Sequence, residues 1–207
     1  MIFSALWLAA SFAGVILYWR FASPHYAMPL LLPLSLLFAR SVDTSIAQHR
    51  WAVALLVTGA AGGQAVLAIS AAHKGGAAEV ARVAAAARVE HGGCIYVYDS
   101  YPALYMLTGS CLPTRWAFPG HLATNDENSA SLGVDPVLEV ARIMRSGPEA
   151  IVDNLPHFRG GNPLTRAVLE RELASGYALV ACIRTGPDRF RLVYRRRSTM
   201  RSPPTCH

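Results

Sequence analysis

Apolar residues are crowded into the first third of the chain and then become periodic. Residues 1–19 run from Met1 to Trp19 without a charge, close to the roughly 20 residues that cross a bilayer. A cleaved leader is the competing reading. No lysine or arginine precedes the apolar core, however, and no small-x-small site closes it before Trp19–Arg20, which favours a retained helix. A second span is predicted over Trp51–Ser70, where "GAAGG" (59–63) offers small residues for close helix contact. Between them, Ala27–Ala39 is shorter and carries Pro29 and Pro33, so an irregular, kinked third span is expected.

After residue 75 the pattern shortens into alternating strand and helix signals. "GAAEVARVAAAARVE" (76–90) predicts a helix stopped at His91–Gly93, followed by a strand in "CIYVYD" (94–99). "PALYMLTG" (102–109) predicts a helix with Pro102 in its first turn and Gly109 as its stop. "RWAF" (115–118) predicts a strand and 120–135 a long polar loop. Asp135 caps the helix of "PVLEVARIMRSG", with Gly147 as terminator. A strand over 149–154, a helix capped by Asn162, and strands over 177–183 and 189–196 joined by "RTGPD" complete the set. The expected fold is an α-helical membrane segment of about three transmembrane helices (1–75), a small α/β domain with a mixed sheet (76–198), and a flexible tail (199–207).

Charge sharpens this division. The chain is 53% hydrophobic and 15% charged, with a mean hydropathy of +0.29. Residues 1–75 hold one acid, Asp43, and four bases, Arg20, Arg40, Arg50 and Lys74; the remainder holds fifteen bases and twelve acids. The 40–50 loop carries two arginines against one in 20–26, which places 40–50 in the cytoplasm and the α/β domain outside. The run "RFRLVYRRRSTMR" (189–201) alternates like a strand with a solvated face. It reads as a basic edge strand and tail, with lipid headgroups the next reading and no nucleic-acid partner.

Chemistry is sparse. There is no nucleophile elbow, phosphate loop or dinucleotide fingerprint, so no catalytic residue and no cofactor is assigned. His121, Asp126 and Glu127 lack the paired histidines of a metal site and read as a solvated loop. Asp99 and Asp153 close predicted parallel strands, a frequent ligand position and a still more frequent place for a turn-capping aspartate. Cys94, Cys111, Cys182 and Cys206 form no CxxC pair. A Cys94–Cys111 bridge and a set of reduced, buried thiols both remain open.

The stretch "RFASPHYAMPLLLPLSLLFA" (20–39), an Arg…His-Tyr pattern before a proline-containing apolar helix, resembles bacterial integral-membrane glycosyltransferases of the GT-C type. These are relatives of the dolichyl-phosphate-mannose protein mannosyltransferases and the aminoarabinose transferase. "YVYDSYPALYMLTGSCLPTRWAFPGHL" (96–122) is similar to their outer domain through Tyr105, Thr108, Gly109, Pro113, Thr114, Arg115 and Trp116. The resemblance implies a bacterial inner-membrane protein with its C-terminal domain on the extracytoplasmic side. It also implies sugar transfer from a polyprenyl-phosphate-linked donor, with Arg20 and His25 contacting lipid phosphate and Tyr26 anchoring at the interface. Members of that family carry more helices and an acidic residue in their first outer loop. Here that loop is "RFASPHY", without Asp or Glu. The expectation is therefore the C-terminal portion of a transferase, inactive alone and completed by a missing N-terminal portion. The alternative is a membrane-anchored binding or scaffold module without transfer activity.

Overall fold

A computed structural model describes residues 2–17, 30–41, 46–89, 92–125 and 129–197. The chain divides into two compact units, Met1–Ala65 and Val66–His207, and the division falls inside one long helix.

The first unit holds α1 (Ile2–Leu17), α2 (Leu31–Ser41) and the first part of α3 (Ile46–Lys74). α1 and α2 pack on one another. Pro33 lies in the first turn of α2, where a missing N–H costs nothing. Pro29, the other proline of the expected irregular span, lies outside the described residues. α3 has 29 residues and would measure about 44 Å, against a hydrocarbon core of about 30 Å. Trp51, Leu55, Leu56, Val57, Val66 and Ile69 point outward around it, and an apolar surface on every side suits lipid. Among the described residues this stretch alone is long and apolar enough to cross a membrane.

The second unit is built on a mixed four-stranded sheet in the order β1–β2–β4–β3. β1 (Ile95–Val97) runs parallel to β2 (Ala150–Leu155), while β4 (Arg189–Arg196) runs antiparallel to both β2 and β3 (Tyr177–Gly186). Alternation sorts the side chains between two faces. Ile95, Val97, Ala150, Val152 and Val193 pack under α4 (Ala77–Ala87) and α5 (Ala103–Thr108). Tyr96, Tyr98 and Ile151 pack on the other face with α8 (Pro136–Ser146) and α9 (Pro163–Gly176). Each fully buried aliphatic side chain contributes about 1.5–3 kcal/mol. Local chemistry fixes the helix ends. Asp135 Oδ1 accepts from the Val137 and Leu138 N–H groups at 2.7 and 3.3 Å, and Asn162 Oδ1 caps Leu164 and Thr165 at 3.0 and 3.3 Å.

Three expectations need correction. Residues 115–118 form no strand: the Trp116 N–H turns back to Thr114 Oγ1 at 3.2 Å, and Pro119 opens a short helix, α6 (Pro119–Leu122). The 120–135 segment is not simply a polar loop. Besides the end of α6 it contains α7 (Ser129–Leu132), and it buries Leu122, Ala123 and Leu132. β4 is not an edge strand, because it lies between β2 and β3. The arginines at its C-terminal end are bonded to helix ends while Arg196 and Arg197 stay exposed, and Arg191 is buried. Arg195 donates to the Ala86 carbonyl (3.2 Å) and to that of Arg88 at the end of α4, and Arg196 donates to Gly147 O at the end of α8. Arg197 donates to Ala174 O and Tyr177 O at 2.7 and 3.1 Å, at the end of α9. Helix C-termini leave carbonyls without partners, and a cation there also complements the helix dipole.

α3 ends against the β3–β4 hairpin. Gly75 adopts φ +89°, and a Cβ there would lie 2.9 Å from Thr185 O. A Cβ on Gly186 would lie 2.3 Å from His73 O. Tyr101 donates its hydroxyl to Lys74 O. Gly75→Ala should therefore cost about 1–3 kcal/mol through both left-handed backbone and collision. Gly176→Ala, with open space around it, should be neutral or stabilising by up to about 1 kcal/mol. Thermal unfolding of the detergent-solubilised chain checks the pair, and equal melting temperatures for the two variants would contradict the packing argument.

Candidate functional site

Arg20, His25 and Tyr26 lie outside the described residues, as do Asp126 and Glu127. Among the described residues no group of three or more His, Cys, Asp or Glu side chains is arranged to hold a metal ion. His121 packs against the rings of Trp116 (5.5 Å between centroids) and Phe118 (6.1 Å).

The 105–116 segment divides into scaffold and surface. Tyr105 is buried, accepts the Val97 N–H at 3.1 Å, and has its hydroxyl pKa pushed up to about 12 by burial. Thr108 Oγ1 donates to Leu104 O at 2.7 Å, closing α5, and Gly109 ends it. Cys94 and Cys111 are joined as a disulfide with Cα atoms 4.7 Å apart. With a sequence separation of 17, such a bridge is worth about 3 kcal/mol in the chain-entropy account. These groups carry the segment 112–116 to the rim of a surface groove of about 430 Å³, where Leu112, Thr114, Arg115 and Trp116 face Glu139 and Arg142 of α8.

Polar contacts in the groove are unequally shared. Thr114 Oγ1 donates to Glu139 Oε1 at 2.6 Å. Arg142 donates Nε to Glu139 Oε2 at 2.8 Å and Nη2 to Oε1 at 2.7 Å, and Nη2 also reaches Pro113 O at 2.8 Å. The Arg142 hydrogen bonds, aided by Thr114 and the nearby Arg115 charge, hold the Glu139 carboxyl below its ordinary pKa against the opposing effect of burial. Both its oxygens are occupied and its affinity for a proton is reduced, so Glu139 is a poor general base. Arg115 differs. It is exposed, its guanidinium lies 4.7 Å above the Trp116 ring, and its donors face solvent at the groove.

The sheet edge contains a second polar group. Asp153, 1% exposed, is held by Arg166 through contacts of 2.5 and 3.2 Å. Burial opposes the Arg166 charge, but the bonds to Asp153 leave its pKa above the ordinary value. Arg166 also stacks 4.5 Å above the Tyr98 ring, whose hydroxyl pairs with Thr165 Oγ1 at 2.9 Å. Asp153 is thus committed to holding α9 on the sheet. On the opposite face Asn154 lies across from Arg191, and Arg191 stacks 4.5 Å above Tyr101. Asn154 Oδ1, Arg191 Nε and Nη1, and Asp99 Oδ2 are buried without a hydrogen-bond partner among the described residues. A further groove of about 500 Å³ between α9 and the β3–β4 pair is walled mainly by Leu173, Ala174, Leu179, Tyr177 and Tyr194. Its Arg197 already serves the α9 carbonyls.

Sequence reasoning attached no role to Glu139, Arg142 or Arg191. The first two carry one faint signal, opposite charges three residues apart on a helix. Arg191 carries none, because its neighbours in "RFRLVYRRR" disguise it as part of a solvated run. No known family model, curated protein or solved structure matches this chain.

A folded-state pKa below the unfolded one means that Glu139 contributes stability above the unfolded carboxyl value, about 4.3, and that this contribution is lost as pH falls through the lower folded value. Glu139→Gln should cost about 1–3 kcal/mol at pH 7 and make the loss of stability below about pH 4.3 shallower. Chemical unfolding followed across pH checks both. Parallel wild-type and variant profiles would contradict the assignment.

Proposed function

We propose that this chain is the C-terminal portion of a bacterial membrane glycosyltransferase that uses a polyprenyl-phosphate-linked sugar, and that it binds the donor without performing the transfer. The observation carrying this reading is the Arg115–Trp116 stack at the rim of an open groove. A guanidinium with open donors suits a phosphate, and an aromatic face suits the apolar side of a sugar ring. Both residues belong to the stretch that resembles the outer domain of the GT-C enzymes. The disulfide between Cys94 and Cys111 supports an oxidising, extracytoplasmic location. In this reading the stretches 1–19, 27–39 (irregular) and 51–70 are three spans, the 20–26 segment is at the outer face, and Arg20 and His25 meet the lipid phosphate beside Tyr26. The acid that activates the acceptor comes from another portion or subunit of the transferase, because "RFASPHY" contains none.

Two measurements test the proposal. The full chain in lipid nanodiscs, titrated with a long-chain polyprenyl phosphate, should bind it saturably and in preference to the unphosphorylated polyprenol. Arg115→Ala and the Arg20→Ala/His25→Ala pair should each weaken binding on the order of tenfold, the scale of one lost charge-assisted contact. Equal affinity for the two lipids would remove donor binding and leave the scaffold module. In bacterial cells a C-terminal alkaline phosphatase fusion should be active; an inactive fusion would place the domain on the wrong side.

A further inference from the structure

We propose that the turn of the β3–β4 hairpin, together with the last residues of α3, forms a surface that rests on the headgroups of anionic phospholipids. The inference depends on α3 crossing a membrane and adds to it a second, peripheral contact. The apolar run of α3 gives way to His73 and Lys74 in its last turn. At that level the hairpin is already in contact: Gly186 leaves no room for a Cβ beside His73 O, Gly75 fits against Thr185, and Tyr101 donates to Lys74 O. The register shift between Arg184 and Gly186 leaves Thr185 outside the regular ladder and turned into this contact, where it is 3% exposed. A hairpin fixed at the point where the apolar helix ends lies at headgroup level, a layer about 5–8 Å deep outside the hydrocarbon.

The charges at this level suit an anionic surface. Arg184 is exposed and braced by its own turn, donating to Gly186 O at 3.1 Å and Pro187 O at 2.6 Å. A Cβ on Gly186 would be 3.5 Å from Arg189 Cβ, so Arg189 leaves the strand beside the helix end. With Lys74 these make three cations. The acids nearby are Asp188 in the turn and Glu79 of α4, and Glu79 is engaged by the Gly76 N–H at 2.9 Å and by Arg82 at 3.0 Å. Basic groups held at a membrane surface are drawn to anionic lipid within a Debye length.

The test uses the full chain reconstituted in nanodiscs of phosphatidylcholine alone or mixed with phosphatidylglycerol, with hydrogen exchange followed at amides 184–190. Exchange should slow on the order of tenfold when the anionic lipid is present. The difference should vanish near 1 M salt, where screening acts over about 3 Å, and in the Arg184→Gln/Arg189→Gln variant. Unchanged exchange over 150–155 identifies that variant as folded, and the salt arm reads the same contact without any substitution. Exchange that ignores lipid charge, or a difference that survives both salt and substitution, overturns the inference. Alkaline extraction of membranes separates the two readings. A chain that resists extraction while its hairpin ignores phosphatidylglycerol overturns only the headgroup contact, whereas a chain that is extracted overturns the membrane span and this inference with it.

Discussion

The α/β domain depends on one arrangement: the arginines at the end of β4 supply the hydrogen bonds that three helices lack at their C-termini. α4, α8 and α9 finish near the same end of the sheet, where each leaves carbonyl groups without an intrahelical partner. Arg195 and Arg196 point to opposite faces of β4 and reach α4 and α8, and Arg197, just past the strand, reaches the end of α9. This works because β4 is an interior strand with helices over both of its faces. The most basic stretch of the chain thereby has hydrogen-bond partners within the fold, although Arg196 and Arg197 remain exposed.

Elements governed by local chemistry were legible in advance. Asp135 and Asn162 cap helices through bonds to residues two and three positions away, and Gly147 stops α8 in a left-handed conformation, so a short window contains all the information required. The strand alternation of 177–183 and 189–196 was equally readable. What failed depended on partners distant in sequence. Arginine in "RFRLVYRRR" has the same local signature whether water or a helix end satisfies it, and the helix ends lie up to 109 residues away. "RWAF" reads as a strand on propensity, yet the Thr114 hydroxyl accepts the Trp116 N–H and Pro119 opens a helix instead. Asp99, just past β1, and Asp153, in β2, were visible near strand ends, but their roles were not. Asp153 is spent on Arg166, a commitment set by the packing of α9.

The same accounting separates groups that can act on a ligand from groups that cannot. Glu139 and Arg142 look like active-site charges in isolation. They satisfy each other, Thr114 and the Pro113 carbonyl, and so fix the groove's floor. Arg115 is oriented by stacking on Trp116, an interaction that leaves its N–H donors available. A stacked arginine therefore combines fixed direction with unspent hydrogen-bonding capacity, which a salt-bridged one does not. That distinction, rather than the density of charge, is why the groove is the better candidate than the basic C-terminal run.

The end of α3 applies a related constraint to a different part of the sheet. Two glycines remove the side chains that would separate the helix from the hairpin, and Tyr101 joins the helix end on one side while stacking on Arg191 on the other. Arg191 lies directly across from Asn154 at the edge where the parallel strands end, so the helix terminus and that strand edge share Tyr101 as a common neighbour. Close backbone contact, and not a flexible linker, is what joins the end of the apolar helix to the sheet.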